Sequence, residues 1–277
     1  AAMQVTFYGV RGSTPCHGDD TRRYGGNTSC VVVRVPGADP IMLDLGTGAR
    51  YFGREAAEGF RGTCLLSHLH WDHVQGLPFF APLLRADSTL HLYAPSQRDG
   101  RSLPEVIDDA IRPPMFPLAA SQLPGQLVCH DTADEEFDLG PVHVVARLVP
   151  HIGPTLGYRL EWGGRSIAYV SDHQQPVDGA LTMADGAREL VQGVDLLIHD
   201  AQFHPVTGKL LHVDFYVLEK GKKVTIAIPL EFQGVAPAEK AGNVIVKALH
   251  QIEIEVAPQE LPKHLVVDRQ EALDGRF

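Results

Sequence analysis

Lysine is absent from the first 208 residues of this 277-residue chain, which carry fifteen arginines instead. The remaining residues contain seven lysines and two arginines, whereas all four cysteines and both tryptophans lie in the lysine-free part. Because composition changes so sharply near residue 205, we expect two sequences of different origin. The sequence therefore predicts one domain at 1–204 and a separate segment at 205–277.

Long apolar runs and cysteine pairs are also missing. No run approaches 18 apolar residues, so we expect no membrane-spanning helix, and the first residues lack the pattern of a secretion signal. The four cysteines form no C-x-x-C pair, which favours reduced, mostly buried thiols. A net charge of −10 argues against broad capture of nucleic acid or of an anionic membrane. These features predict a cytoplasmic protein and leave its oligomeric state open.

Short apolar strands fill the first 45 residues, and strands then alternate with helices up to about residue 200. This alternation predicts sheets covered by helices. The expected helices are 77–84, 103–111 and 187–192. Ser102 and Glu105 have the spacing of a capping box at the start of the second helix.

Three imidazoles and a carboxylate follow an apolar strand within six residues: His68, His70, Asp72 and His73. Residues two apart in an extended stretch point to the same side, so His68 and His70 can converge on one metal ion. Asp72 and His73 are sequence neighbours that can face a second ion. The alternative, a group of solvated loop histidines, is disfavoured by the density of the cluster.

Two later strand ends can complete a hydrolytic metal site. His151 follows the apolar stretch 142–149, and Asp172 follows 166–170. Side chains at strand ends can converge on a cleft, and a carboxylate such as Asp172 can bridge two cations about 3.5–4 Å apart. Histidine and carboxylate ligands suit zinc, with manganese and iron as alternatives.

The residues around these candidate ligands resemble the phosphodiesterase-like branch of the metallo-β-lactamase superfamily. The matching segments are GVRGSTP at 9–15, RYGGNTS at 23–29, LDLGTG at 43–48 and HWDHVQGLPFF at 70–80. The resemblance covers residues 4–203. It implies an α/β fold, namely an αββα sandwich that is incomplete at its C-terminal end and is followed by a β-rich segment.

The resemblance also implies a role for each candidate residue. It places His68, His70 and His151 on a first metal and Asp72 and His73 on a second, with Asp172 between them. Asp44 would accept a hydrogen bond from a ligand imidazole, although an aspartate that caps a turn at a strand end is the alternative.

The final histidine that completes the second metal site in this family has no counterpart in matching context. Four histidines remain as weaker candidates: His204, His212, His250 and His264. His173 and His199 lie closer to the site, but neither matches the missing ligand. Because losing a ligand weakens metal binding, we expect one tightly bound metal and one weak or vacant site.

The C-terminal segment resembles a different family. FHPVTGKLLHVDFY at 203–216, IPLEFQGVAP at 228–237 and LPKHLVVD at 261–268 are similar to the middle of the bacterial general-stress ribosomal protein that binds 5S rRNA. Strict apolar alternation at 224–228 and 251–256 predicts half-exposed antiparallel strands. The segment carries four lysines in its first part: Lys209, Lys220, Lys222 and Lys223. They can contact phosphates, or they can protect an exposed strand edge, which is the interpretation we favour.

We expect a metal-dependent hydrolase that cleaves a small-molecule or nucleotide phosphodiester, with a metal-bound hydroxide as nucleophile and Asp72 orienting it. A thioesterase or lactonase is the alternative within the same fold, because the ligands determine hydrolysis and not the substrate. Two alternatives come from other classes. One is an RNA-binding or ribosome-associated protein acting through the C-terminal segment, and the other is a chimeric or designed chain with little activity.

Overall fold

The structure is a computed structural model of the chain. It describes residues 2–22, 24–174, 183–203, 210–215, 224–233, 251–256 and 265–268. The chain divides into two compact units, Ala1–Val217 and Leu218–Phe277. The expected boundary between residues 204 and 205 lies earlier in the chain and stays a prediction.

The first sheet of the larger unit contains six strands in sequence order. They are β1 (Gln4–Gly9), β2 (Cys30–Arg34), β3 (Ile41–Leu43), β4 (Arg61–Leu65), β5 (Thr89–Pro95) and β6 (Gln126–Thr132). The pairs β1/β2 and β2/β3 are antiparallel, and the strands from β3 to β6 are parallel. The carboxyl ends of β3 and β4 therefore lie at the same edge of the sheet.

The second sheet also has six described strands, in the order β12-β11-β10-β9-β8-β7. They are β7 (Glu135–Leu139), β8 (Val142–Leu148), β9 (Leu156–Trp162), β10 (Arg165–Val170), β11 (Leu196–Phe203) and β12 (Leu210–Phe215). Only the pair β10/β11 is parallel among these strands. Because β8 and β10 both pair antiparallel with β9, they run in the same direction and also end at one edge.

Four α-helices are described: α1 (Ala49–Glu55), α2 (Trp71–Val74), α3 (Leu103–Ala110) and α4 (Asp185–Val191). At the start of α3, the backbone N–H and the hydroxyl of Ser102 each donate to Glu105 at 2.8 Å, at the spacing expected from the sequence. In the part of the chain that the structure describes, no helix has the length and apolar character needed to cross a membrane.

The helix expected at 77–84 is absent, and that prediction is wrong. Two short 3₁₀ turns, Leu77–Phe79 and Ala81–Leu84, occupy the segment instead. Pro78 and Pro82 lack the amide hydrogens that a continuous α-helix requires in its interior, so the helical ladder cannot form.

Alternation along the strands separates two apolar clusters. Cys30 and Val32 of β2 belong to a cluster that includes residues of α1 and α3. Val31 and Val33, which point to the other face, join a cluster shared with the second sheet. On the outer face of the second sheet, α4 buries Ala187 and Leu190. The layers are therefore helices, sheet, sheet and helix, and the predicted αββα architecture is confirmed.

The smaller unit contains a three-stranded sheet, among the residues described there. Its central strand is β13 (Val224–Gln233), which pairs antiparallel with β14 (Gln251–Val256) and parallel with β15 (Leu265–Asp268). The antiparallel pairing expected from the sequence is present, with Val224 opposite Val256. The prediction of a β-rich C-terminal segment is confirmed.

The four cysteines differ in their access to solvent. Cys30 and Cys64 are fully buried, and burial together with the nearby Asp44 raises the pKa of both thiols. Burial also raises the pKa of the partly buried Cys129 to about 11, whereas Cys16 is exposed.

Because the thiolate is the reactive form of cysteine, we expect Cys16 to react first with Ellman's reagent in the native protein. The other three thiols should react only after denaturation. A Cys16→Ser variant should therefore lose the fast phase of the reaction. If that variant reacts as fast as the native chain, the assignment of buried thiols is wrong.

Candidate metal centre

The predicted metal ligands lie just beyond the ends of strands that come together at one place. His68, His70, Asp72 and His73 follow β4, while His151 follows β8 and Asp172 follows β10. The rings of His68 and His73 are centred 4.2 Å apart. Both sheets thus contribute to one cluster, and all six residues belong to it.

Three imidazole nitrogens converge in the first half of the cluster. Nδ1 of His70 lies 2.8 Å from Nε2 of His68 and 3.2 Å from Nε2 of His151. Oδ2 of Asp172 is 3.4 Å from each of those two Nε2 atoms. All four ligand atoms lie within 4.8 Å of one another. Ligands that share one zinc at about 2.0–2.2 Å have separations of this order, so the donor set fits a divalent cation.

The second half of the cluster surrounds His73. Its Nε2 is buried and makes no hydrogen bond, although it lies 3.4 Å from Oδ2 of Asp72 and 3.7 Å from Oδ1 of Asp172. Asp172 thus turns one oxygen toward each half of the cluster. A buried nitrogen without a hydrogen bond calls for an explanation, and a cation held between it and these carboxylates supplies one.

Electrostatics in the cluster favour a bound cation. The carboxylates of Asp72 and Asp172 are almost entirely buried. Although burial alone would raise the pKa of Asp72, the neighbouring His73 and the amide of Ser13 lower it. Burial and the adjacent His68 lower the pKa of His70, which favours its neutral form. The cluster therefore combines buried anionic oxygens with a neutral imidazole, and this is the state in which such groups bind metals.

Asp44 is hydrogen-bonded to two residues of the segment that carries the cluster. It is fully buried and accepts hydrogen bonds from the Ser67 amide at 2.7 Å, the Ser67 hydroxyl at 3.0 Å and His73 Nδ1 at 2.6 Å. Burial opposes protonation of His73, but the Asp44 charge outweighs it and raises the pKa of that imidazole. In the neutral form of His73, which is the form that binds a metal, the Nδ1 proton is directed to Asp44 and the Nε2 lone pair faces Asp72 and Asp172. The supporting role expected for Asp44 stays a prediction.

The same network orients His68. Its Nδ1 lies 3.0 Å from the Ser67 hydroxyl oxygen, and the proton of that hydroxyl goes to Asp44. The Ser67 oxygen is therefore free to accept the Nδ1 proton of His68, which leaves Nε2 with a lone pair directed at the cluster. These tautomers follow from the hydrogen-bond network.

Sequence reasoning missed Tyr169 and Ser13. The Tyr169 hydroxyl donates to Asp44 at 2.5 Å and lies 2.6 Å from the Ser29 hydroxyl. Because Tyr169 belongs to β10 and Ser29 immediately precedes β2, this contact joins the two sheets beneath the cluster. The backbone N–H of Ser13 donates to Asp72 at 2.6 Å. Only the resemblance of 9–15 to a family motif pointed toward that loop, because a main-chain contact leaves no side-chain signal.

The final ligand of the second site is not identified. The rings of His173 and His199 are centred 5.9 Å apart, and neither belongs to the cluster of ligand atoms found among the described residues. His204, His250 and His264 lie outside the described residues, and His212 lies on β12 without a described side chain.

The four layers and the histidine–aspartate cluster at the strand ends define the metallo-β-lactamase type of fold. A family model of the beta-lactamase superfamily domain matches residues 61–222, more than half of the chain, and the chain belongs to that superfamily. Family and fold together support a metal-dependent hydrolase.

Two solved structures illustrate the shared fold. The metallo-beta-lactamase fold protein YhfI from Bacillus subtilis has a TM-score of 0.53 at 20% identity, over 74% of this chain and 73% of that one. The short form of human tRNase Z has a TM-score of 0.53 at 23% identity, over 73% of this chain and 79% of that one. At these identities the likeness shows the fold alone.

Residues 223–275 match the C-terminal domain family of ribosomal protein TL5. The large ribosomal subunit protein bL25 of Carboxydothermus hydrogenoformans is 40% identical over 73 residues, which are 26% of this chain and 37% of that protein. The chain thus spans little more than a third of the length of that ribosomal relative. The predicted chimeric architecture is confirmed, because the two matches belong to unrelated families.

Replacing Tyr169 by Phe tests whether its hydroxyl supports the cluster through Asp44. Tyr158 is an equally buried control, because its hydroxyl donates to the carbonyl of Leu66 at 2.8 Å. Each variant should lower the free energy of unfolding by about 1 kcal/mol. Only Tyr169→Phe should also weaken zinc binding, by roughly tenfold, in a titration against a chromophoric chelator. Equal zinc affinities in the two variants would contradict the supporting role.

Proposed function

We propose that this chain is a metal-dependent phosphodiesterase whose centre is held by His68, His70, Asp72, His73, His151 and Asp172. The observation that carries the proposal is the cluster itself. Four ligand atoms from both sheets lie within 4.8 Å, and the second oxygen of Asp172 faces the buried nitrogen of His73.

The proposed cation is zinc, because neutral imidazoles with a carboxylate are typical zinc ligands; manganese and iron are the alternatives. When bound, such a cation lowers the pKa of coordinated water and offsets charge on phosphoryl oxygens. The protein's own groups do the remaining work. Asp72, held by the Ser13 amide, orients the attacking water and accepts its proton, while Asp44 keeps His73 in one tautomer.

A phosphodiester is the favoured substrate for two reasons. The segments 9–15, 23–29, 43–48 and 70–80 resemble the phosphodiesterase-like branch of the superfamily. In addition, the bridging position of Asp172 suits a two-cation arrangement, which stabilises the attacking and leaving oxygens of an in-line displacement. Thioesters and lactones are the competing substrates, although their hydrolysis is not an in-line displacement at phosphorus.

The second cation position should be the weaker of the two. The described residues supply Asp72, His73 and Asp172 for it, whereas the first position has three imidazoles and a carboxylate. We therefore propose one tightly bound cation per chain and activity that rises with added metal. RNA binding through residues 223–275 is the less favoured function, and salt-dependent binding to 5S rRNA would reveal it.

Zinc content and turnover, measured on the same preparations, test this proposal. After dialysis against a mild chelator, the native chain should retain one zinc and hydrolyse bis(p-nitrophenyl) phosphate slowly, with a rate that increases as zinc is added. His68→Ala should lose both the zinc and the activity. His143→Ala is the matched control, because His143 is a partly exposed histidine that pairs with Asp138, and it should behave like the native chain.

Two zinc ions retained through dialysis would contradict the weak second site. Zinc retention and turnover that survive in His68→Ala would overturn the assignment of the centre. Hydrolysis of a thioester or a lactone, without hydrolysis of the phosphodiester, would keep the metal centre and reject the substrate.

A further inference from the structure

Two large apolar side chains are exposed immediately beside the proposed metal ligands. Trp71, 54% exposed, lies between His70 and Asp72 in the chain, and Ile152, 68% exposed, directly follows His151. Neither belongs to an apolar core cluster among the described residues. Packing of the fold therefore gives no reason for their apolar character.

The cluster reaches solvent at His70, the residue that precedes Trp71. His68 and His73 are buried, at 1% and 3% exposure, and the His151 imidazole is 6% exposed, whereas His70 is exposed. The rings of His70 and His151 are centred 4.9 Å apart. Since neighbouring Cα atoms are only about 3.8 Å apart, the Trp71 and Ile152 backbones lie next to these two histidines, and both side chains are exposed.

Cationic residues are scarce in the sequence on either side of the proposed ligands. No lysine or arginine lies within three residues of any proposed ligand, and lysine is absent up to residue 208. Proteins that track a nucleic-acid backbone depend on such cations for their affinity. The exposed Trp71 and Ile152 side chains therefore offer apolar contact to the organic group of a bound phosphodiester, whereas Arg11, two residues before Ser13, donates to the carbonyl of Gly25.

We infer that Trp71 and Ile152 form an apolar clamp that holds an aromatic ring carried by an ester group on the substrate's phosphorus. The substrate class is then a small phosphodiester with at least one aromatic substituent. This inference rests on the proposed function, because the phosphoryl group must lie at the metal centre for the ring to reach the clamp. Stacking of the ring on the Trp71 indole and contact with the Ile152 side chain supply the preference.

Binding of two phosphonates to the full-length, zinc-loaded chain tests the clamp without turnover. Phenylphosphonate and methylphosphonate carry the same anionic group and differ only in the ring. By calorimetry, the native chain should bind phenylphosphonate roughly tenfold more tightly than methylphosphonate. Trp71→Ala and Ile152→Ala should reduce that ratio while leaving the affinity for methylphosphonate within about twofold.

Leu84→Ala is the matched control. Leu84 is 52% exposed and precedes the amino end of β5, at the sheet edge opposite the cluster, so the native ratio should persist. In a Trp162→Phe background, which leaves Trp71 as the single tryptophan, phenylphosphonate should quench or shift the emission and methylphosphonate should not.

Equal affinity for the two phosphonates in the native chain would overturn the clamp, as would a preference that persists in both Trp71→Ala and Ile152→Ala. Failure of both phosphonates to bind a zinc-loaded chain would also overturn it, while leaving the metal centre intact. Conversely, absence of phosphodiester turnover together with a Trp71-dependent phenyl preference would reject the proposed reaction and retain the clamp.

Discussion

The hydrogen bond between the buried Asp44 carboxylate and His73 is the constraint on which the rest of the centre depends. Asp44 has no exposed surface, and an isolated charge in that position would be strongly destabilising. It is compensated by donors from both sheets, namely the Ser67 amide and hydroxyl, His73 and Tyr169. The same contacts that make the buried charge tolerable also determine which nitrogen His73 presents to the cluster.

The backbone at Asp44 shows how closely fold and site are linked. Its φ of 64° lies in the left-handed region, which residues other than glycine rarely adopt, although aspartate tolerates it better than most. This conformation ends β3 abruptly and turns the carboxylate under the loop that follows β4. Backbone strain of this kind concentrates at functional sites, where the surrounding contacts maintain it.

The chimeric architecture bears on the second cation position, which we propose to be the weaker of the two. Every residue of the better supplied first position precedes residue 173, and the beta-lactamase superfamily match continues to residue 222. The ribosomal match begins at residue 223. The resemblance implies a final histidine in the region in which one sequence gives way to the other, and we propose that the change in sequence weakens the second cation position.

Sequence patterns predicted the architecture and the clustering of the histidine and aspartate residues for identifiable physical reasons. The short apolar runs of β2 and β3 and the dense histidine cluster are local signals that can be read without the tertiary structure. β6 and β7 were missed because polar residues interrupt their apolar runs.

The Tyr169–Asp44 contact was missed for a different reason. It joins residues 125 positions apart, and nothing local marks either partner for the other. The sequence also did not indicate that Trp71 is exposed, since a tryptophan beside a histidine can be buried in a core or lie at the surface.

X-ray absorption spectroscopy at the zinc edge, on the full chain loaded with one equivalent of zinc, tests the central claim most directly. The account predicts a shell of three imidazole nitrogens and a carboxylate oxygen at about 2.0–2.2 Å, with the outer-shell scattering of histidine rings. A sulfur ligand at about 2.3 Å, or an oxygen shell without imidazole scattering, would contradict it.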